Sequence, residues 1–174
     1  MPTAVSRAVT IADLRLLAQR RLPRMVFDYI DGGAEREWSL RENSRAFEDI
    51  LFRPRSAVAT STVDLSTTVL GMKIDVPFIF APVGSSRMFY PRGEEVAAKV
   101  AGDTGTIYTL STLSGCRMED VRAATRGDAW YQLYQVGGRD VALQSIARAK
   151  AAGDRKSTRL NSSHTDISRM PSSA

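Results

Sequence analysis

Between Pro77 and Gly153 short apolar runs alternate with longer amphipathic stretches, and this rhythm constrains the fold more than any other feature. Phe78-Ile79-Phe80-Ala81-Pro82 is a continuous apolar run, the pattern of a strand buried on both faces. Residues 93–103 have helical spacing, with Glu94 and Glu95 in the first turn near the positive end of the dipole. Residues 107–111 read as a second strand, 118–125 as a second helix, and 129–134 as a third strand rich in aromatics. Residues 139–152 read as a third helix, with Val141, Ile146 and Ala149 at apolar positions and Gly153 as its stop. Three consecutive βα units joined by a few residues predict a parallel α/β sheet with right-handed crossovers. Two closures are open to such a sheet, a doubly wound open sheet or a (β/α)8 barrel. No GxGxxG follows the first strand, which counts against a dinucleotide-binding open sheet. A barrel usually needs about 250 residues, and the chain has 174.

A helical preamble comes first. Thr10 can cap a helix with Asp13 in its first turn, and Leu14, Leu17 and Ala18 give its apolar stripe. Pro23 stops that helix and suits the first turn of the next, where Met25, Val26, Tyr29 and Ile30 share a face and Gly32-Gly33 ends it. A third helix is expected over residues 35–48. Thr67-Thr68-Val69-Leu70 and Met72-Lys73-Ile74 flank Gly71 as a small hairpin would. Trp38 and Trp130 are expected to be packing residues.

Composition narrows the function classes. The longest apolar run, residues 76–83, is far too short for a membrane span, and residues 1–10 have no apolar core of a secretory signal. One cysteine, Cys116, and one histidine, His164, leave no ligand set for zinc and no internal disulfide, so a metal site is not expected and a reducing compartment is. The formal charge of +5 would suit a nucleic-acid partner, but the charges are mixed along the chain, and the stretch after Gly153 supplies an excess of two. No nucleic-acid partner is expected. That last stretch, 154–174, has no apolar period and reads as a non-native, disordered tail. It resembles the translation of a sequencing-adapter oligonucleotide, Asp154 to His164 in one block and Ser168 to Ala174 in another after a short index. The expectation is therefore an N-terminal fragment of a longer protein, with residues 157–174 packing on nothing and the edge of the third strand left unpaired.

Six collinear stretches carry a family resemblance: Leu22-Pro23, Asp28-Tyr29-Ile30-Asp31-Gly32-Gly33-Ala34, Leu51-Phe52-Arg53-Pro54-Arg55, Ala81-Pro82-Val83-Gly84, Thr109-Leu110-Ser111-Thr112 and Trp130-Tyr131-Gln132-Leu133-Tyr134. With them, residues 10–153 resemble the FMN-dependent α-hydroxy-acid dehydrogenases and oxidases, the family of L-lactate dehydrogenase, glycolate oxidase and mandelate dehydrogenase. The resemblance implies the N-terminal part of a (β/α)8 TIM barrel, preceded by the helical segment and the hairpin. It implies FMN as cofactor and oxidation of a small L-2-hydroxy acid to the 2-oxo acid by the full-length parent. It implies that Pro82, Val83 and Gly84 form the backbone shelf under the flavin, that Ser111 and Gln132 bond its polar edge, and that Tyr29 and Tyr134 meet the substrate. Leu113 stands where some members carry an aromatic residue beside the substrate. The family's catalytic histidine, its carboxylate-binding arginine, its flavin-facing lysine and its orienting aspartate come from later strands, so no catalytic residue is assigned and His164 is not drafted as one. The fragment alone is expected to be inactive. The parent is expected to be a homo-oligomer, cytoplasmic or membrane-associated, with its electron acceptor open. The competing readings are an FMN barrel of another substrate class and a non-enzymatic basic binding protein.

Overall fold

The structure, a computed structural model, describes residues 5–54, 56–59, 61–153 and the backbone of 157–159. Arg55 of the Leu51-Phe52-Arg53-Pro54-Arg55 stretch and His164 lie outside the described residues. The chain divides into two compact units, Met1–Ser61 and Thr62–Ala174.

In the first unit, α1 (Ile11–Arg21) begins at a capping box. The Asp13 N–H donates to Thr10 Oγ1 at 3.2 Å, and the Asp13 carboxylate accepts from the Thr10 and Val9 N–H groups at 2.9 and 3.0 Å. Two helix-end donors are thereby satisfied reciprocally. α2 (Arg24–Asp31) starts just after Pro23, as expected. Its buried residue is Phe27, whereas Met25, Tyr29 and Ile30 are exposed, so the expected apolar face is corrected. Phe27 and Asp31 lie one turn apart, and Arg15 of α1 reaches both. Its guanidinium stands 5.8 Å from the Phe27 ring centre and grips the Asp31 carboxylate at 2.5 and 2.6 Å. α3 is shorter than expected, Trp38–Arg45, because Glu35 and Glu37 sit at positive φ and turn the chain before it can wind. Trp38 is 68% exposed, which overturns its reading as a packing residue.

The second unit opens with the expected hairpin, β1 (Thr67–Val69) against β2 (Met72–Ile74), antiparallel with Val69 opposite Met72. Leu70 and Gly71 both take positive φ, the turn whose twist matches the strands. Alternation buries Met72 and Ile74 and exposes Lys73. The remaining elements follow as α4 (Gly93–Asp103), β3 (Tyr108–Leu110), α5 (Met118–Ala124), β4 (Ala129–Leu133), α6 (Gly138–Ala151) and β5 (Ser157–Arg159).

β3 and β4 are parallel and adjacent, with Thr109 opposite Trp130, and Phe80 joins the outer side of β3 through a parallel bridge to Tyr108. The order expected for the three βα units holds. The first of them, however, contributes one bridging residue rather than a strand over 78–82. Pro77 and Pro82 have no N–H to give, the Phe78 N–H is spent on Val76 O at 2.9 Å, and the Thr106 hydroxyl takes Phe78 O. Phe80 is the residue that pairs with β3, through its N–H to Ile107 O at 2.9 Å and its carbonyl to the Thr109 N–H at 3.0 Å.

The other edge also differs from expectation. β5 pairs in parallel with β4, Gln132 opposite Thr158, so Ser157–Arg159 is not without contacts and the edge of β4 is not bare. An unpaired parallel edge presents a row of donors and acceptors that any extended segment can satisfy, whatever its side chains.

The sheet has two distinct faces. Tyr108, Leu110, Tyr131 and Leu133 point toward the helices and pack with Ala98 and Ala101 of α4, Val121 of α5 and Ala142 and Ala149 of α6. Small side chains on the helices let these bulky ones fill the layer. On the other face Ile107 and Trp130 pack with Met72 and Ile74, so the hairpin covers the N-terminal half of that face. Glu119 of α5 and Arg148 of α6 tie the helix layer by two hydrogen bonds, of 2.6 and 2.7 Å. No described helix is long and apolar enough to cross a membrane.

Candidate functional site

Beyond the hairpin, the same face of the sheet turns polar. Ile107, Thr109 and Ser111 alternate along one strand, Trp130 and Gln132 along the next, and the register sets Ser111 beside Gln132 at the C-terminal ends. These ends are where parallel α/β folds build their sites. Ser111 is 4% exposed and Gln132 1% exposed.

At this end the ladder stops, and side chains take over the backbone groups. The Gln132 side-chain oxygen accepts from the Ser111 hydroxyl and from the Thr112 N–H, both at 3.3 Å. The Ser111 hydroxyl in turn accepts from the Leu113 N–H at 3.1 Å. The Thr112 hydroxyl donates to Gln132 O and accepts from the Tyr134 N–H at 3.0 Å. A backbone N–H can only donate, so the amide group facing Thr112 must be Oε1, and this fixes the other end of the amide as Nε2. Gln132 Nε2 is buried and has no partner among the described residues. A buried N–H left unmade costs about 1–3 kcal/mol, so an acceptor brought to it is favoured.

Gly84 closes the third side. A Cβ placed on it would stand 3.2 Å from Leu113 Cβ and 3.6 Å from Ser111 Oγ, tight against both. Pro82 is half-buried and Val83 is 54% exposed where the chain leads into it. The Ser85 N–H then bonds Leu113 O at 2.9 Å, which fastens the loop after Phe80 to the loop after β3. The structure thus brings Gly84, Ser111 and Gln132 to one end of the sheet, with Tyr134, half-buried, at the end of β4 beside them. Tyr29 belongs to the first unit, 71% exposed on α2.

Two participants were not foreseen. Thr112 bridges β3 to β4, and a hydroxyl straight after a strand serine was its only sequence signal. Glu94 is fully enclosed at the start of α4, and its Oε1 accepts from the Gly115 N–H at 2.9 Å. Burial pushes this carboxyl upward, but the N–H groups of Gly115, Glu94 and Ser86 and the Cys116 thiol outweigh it and hold it below the usual range. Burial, and then the Glu94 carboxylate, push the Cys116 thiol up. The Tyr108 phenol is raised by the same two influences. Among the described residues no three of His, Cys, Asp and Glu converge to hold a metal ion. What the site offers is one buried, unpartnered donor, hydroxyls of Ser and Thr already committed, and a glycine beside them, which suits a flat polar-edged ring.

A family model described as FMN-dependent dehydrogenase matches residues 18–157. The chain is 41% identical over 143 residues to glycolate oxidase 3 of Arabidopsis thaliana and 40% identical to glycolate oxidase of Spinacia oleracea, in each case over 82% of this chain and 39% of the relative. The chain therefore spans about two fifths of the length of the curated relatives it matches. Among solved structures, a soluble mutant of the membrane-associated (S)-mandelate dehydrogenase from Pseudomonas putida superposes with a TM-score of 0.77 at 36% identity, covering 82% of this chain and 41% of that one. Mandelate oxidase bound to 3,3-difluoro-2-hydroxy-3-phenylpropionic acid gives a TM-score of 0.78 at 35% identity, covering 84% and 44%. The fold is the corresponding part of a TIM-barrel flavoenzyme; the described residues form an open sheet within it.

Proposed function

Because the chain belongs to the FMN-dependent dehydrogenase family, we propose that the complete enzyme carrying it binds FMN at the C-terminal ends of Phe80, β3 and β4 and oxidises an L-2-hydroxy acid of the glycolate, lactate or mandelate type to the 2-oxo acid. The observation that supports this most is the buried, unpartnered Gln132 Nε2, locked in orientation by Ser111 and Thr112. It is a preset donor for a carbonyl or ring nitrogen, and donors that need not reorganise are the ones that count in a site. Bound FMN supplies the two-electron acceptor.

The chain's own residues have the following parts. The backbone at Pro82, Val83 and Gly84 forms the shelf, and Gly84 leaves no side chain between it and the ring. Ser111 and Gln132 hold the polar edge. Tyr134 presents its hydroxyl to the substrate, and Tyr29 is given a substrate-binding part by the family resemblance alone. Residues 1–153 contain no histidine, so the base that takes the hydroxyl proton is assigned to the part of the enzyme that these residues do not supply. We also infer a homo-oligomer, cytoplasmic or membrane-associated; the similar (S)-mandelate dehydrogenase of Pseudomonas putida is membrane-associated.

The complete enzyme should be yellow as purified. Its flavin absorbance should bleach without oxygen on adding glycolate, L-lactate or (S)-mandelate. A colourless complete enzyme, or a flavin that none of these acids reduces, would overturn the proposal.

A further inference from the structure

The loop between β3 and α5 is held from two sides. In front, Leu113 touches the site: its N–H bonds Ser111 Oγ at 3.1 Å, its carbonyl accepts from Ser85, and its Cβ would crowd any Cβ on Gly84 at 3.2 Å. Its side chain is 57% exposed, standing over the proposed shelf rather than in a core. Behind, the Gly115 N–H is held by Glu94 Oε1 at 2.9 Å and the Gly115 carbonyl by Arg87 Nη1 at 3.3 Å. Gly115 itself has no side chain, and a Cβ on it would meet Arg87 Cβ at 2.7 Å, so the loop backbone lies directly on its support.

Glu94 is an unusual choice for that support. It is 0% exposed, and its carboxylate is enclosed by the Gly115, Glu94 and Ser86 N–H groups and the Cys116 thiol. A neutral acceptor would avoid the cost of burying charge. An ionised one makes a bond roughly twice as strong and of narrower geometry, and the first turn of α4 favours the negative charge. The neighbouring Glu95 does not share this role, since it pairs with Arg92 at the surface.

We propose that Glu94 is a positioning residue: through Gly115 its carboxylate sets where Leu113 stands against Gly84, and so how much room a substrate's side chain has above the shelf. The inference rests on the 2-hydroxy-acid reading and adds a residue that touches neither flavin nor substrate. It separates two variants that chemistry alone would rank together. Glu94→Gln keeps an acceptor oxygen at the same reach. Glu94→Asp keeps the charge but is one methylene too short to reach Gly115.

The test uses the complete enzyme and the ratio of KM values for (S)-mandelate and glycolate, with flavin content read from absorbance. Glu94→Asp should bind flavin and move that ratio by about tenfold, the equivalent of one hydrogen bond to a charged group, while kcat changes less than KM. Glu94→Gln, which keeps an acceptor at the same reach but makes a weaker bond, should move the ratio less than Glu94→Asp. Hydrogen exchange of a peptide spanning residues 113–117 should quicken in Glu94→Asp and do so less in Glu94→Gln. Leu113→Ala should also move the ratio, and adding Glu94→Asp to it should move it little further, because coupled residues are not additive. A flavin-loaded Glu94→Asp with the wild-type ratio, or additivity with Leu113→Ala, overturns the inference and leaves the 2-hydroxy-acid reading standing. A wild-type enzyme that none of the acids reduces overturns that reading instead.

Discussion

Replacing Gln132 with methionine separates a ligand-holding amide from a merely structural one. The two side chains have similar length and volume, so the exchange creates little cavity or overpacking. In the flavin-free protein the losses and gains nearly cancel. Methionine removes the acceptor for the Thr112 N–H, and leaving that donor unmade costs about 1–3 kcal/mol. It also removes Nε2, which is buried without a partner in the wild type, and this relieves a penalty of about the same size, roughly 1–3 kcal/mol. The Ser111 hydroxyl can rotate to another acceptor. The net change in flavin-free stability should lie within about 1 kcal/mol.

Flavin binding should respond quite differently. In the wild type the ligand satisfies the waiting Nε2, and in the variant it meets a thioether that donates nothing. The difference of about 1–3 kcal/mol corresponds to FMN binding weakened by roughly 5- to 150-fold. Flavin would be removed from the complete enzyme and titrated back, with fluorescence quenching as readout. Thermal midpoints would be recorded with and without FMN. The expected pattern is a nearly unchanged flavin-free midpoint and a smaller rise on adding FMN. If Gln132→Met bound FMN within about twofold of wild type, the unpartnered amide would not be a flavin donor. If instead the flavin-free midpoint collapsed, the amide would be a strand-end cap and nothing more.

Three further outcomes follow from the geometry. Gly102→Ala should destabilise the complete enzyme by up to about 2 kcal/mol in denaturant titration, since overpacking of about 1–3 kcal/mol offsets a helix-propensity gain of about 1; the new Cβ would collide with Thr125 Oγ1 and stand 2.9 Å from Gly127 N, and a stabilised variant would contradict this. Hydrogen bonds from Arg148 hold the Glu119 carboxyl down at about 2, so its stabilisation is complete above its ordinary 4.5 and is lost as pH falls through about 2, weakly and screened by salt. The thermal-midpoint difference between wild type and Glu119→Gln should shrink across that window, and a constant difference would count against the pairing. The 174-residue chain alone should show no turnover with glycolate, L-lactate or (S)-mandelate in a dye-coupled assay, and measurable turnover would mean that a base has been overlooked in it.

Much of the second unit was legible because its signals are local. α4 runs over the residues that its spacing marks, with two glutamates in the first turn, and the hairpin forms around Gly71. The order of Phe80, β3 and β4 follows from alternation alone. What misled was pairing between distant residues. The run 78–82 is as apolar as a buried strand, but strand formation needs donors, and two flanking prolines and a local turn at Phe78 take away those at its ends. Apolar spacing in α2 did not show that Arg15, twelve residues before Phe27, would select the buried position. The tail was read by its composition, whereas edge pairing depends on the backbone. At the site, Ser111 and Gln132 were reached through resemblance. Thr112 and Glu94 act through partners 20 to 22 residues away, beyond what any local pattern reveals.

The polarity of the site has a structural origin that precedes any ligand. Along β3 and β4 the face opposite the helices begins with Ile107 and Trp130 against the hairpin and ends with Ser111 and Gln132. Past the last ladder bonds the N–H groups of Thr112, Leu113 and Tyr134 have no strand partner, and an unmade buried donor is costly. Each is taken by a side-chain oxygen, from Gln132, Ser111 and Thr112 respectively. The residues assigned to the flavin are therefore also strand caps. A serine or threonine in this duty uses up its single oxygen. Glutamine alone has a second polar group, and capping with Oε1 forces Nε2 to face away from the strand end. The same hydrogen bonds that finish the sheet thus leave one oriented, unpartnered donor at its C-terminal end. A one-residue slip of β4 would turn Gln132 into the helix layer and put Leu133 in its place. The hairpin guards against that slip: it packs Trp130, two residues earlier on the same face, against Met72 and Ile74.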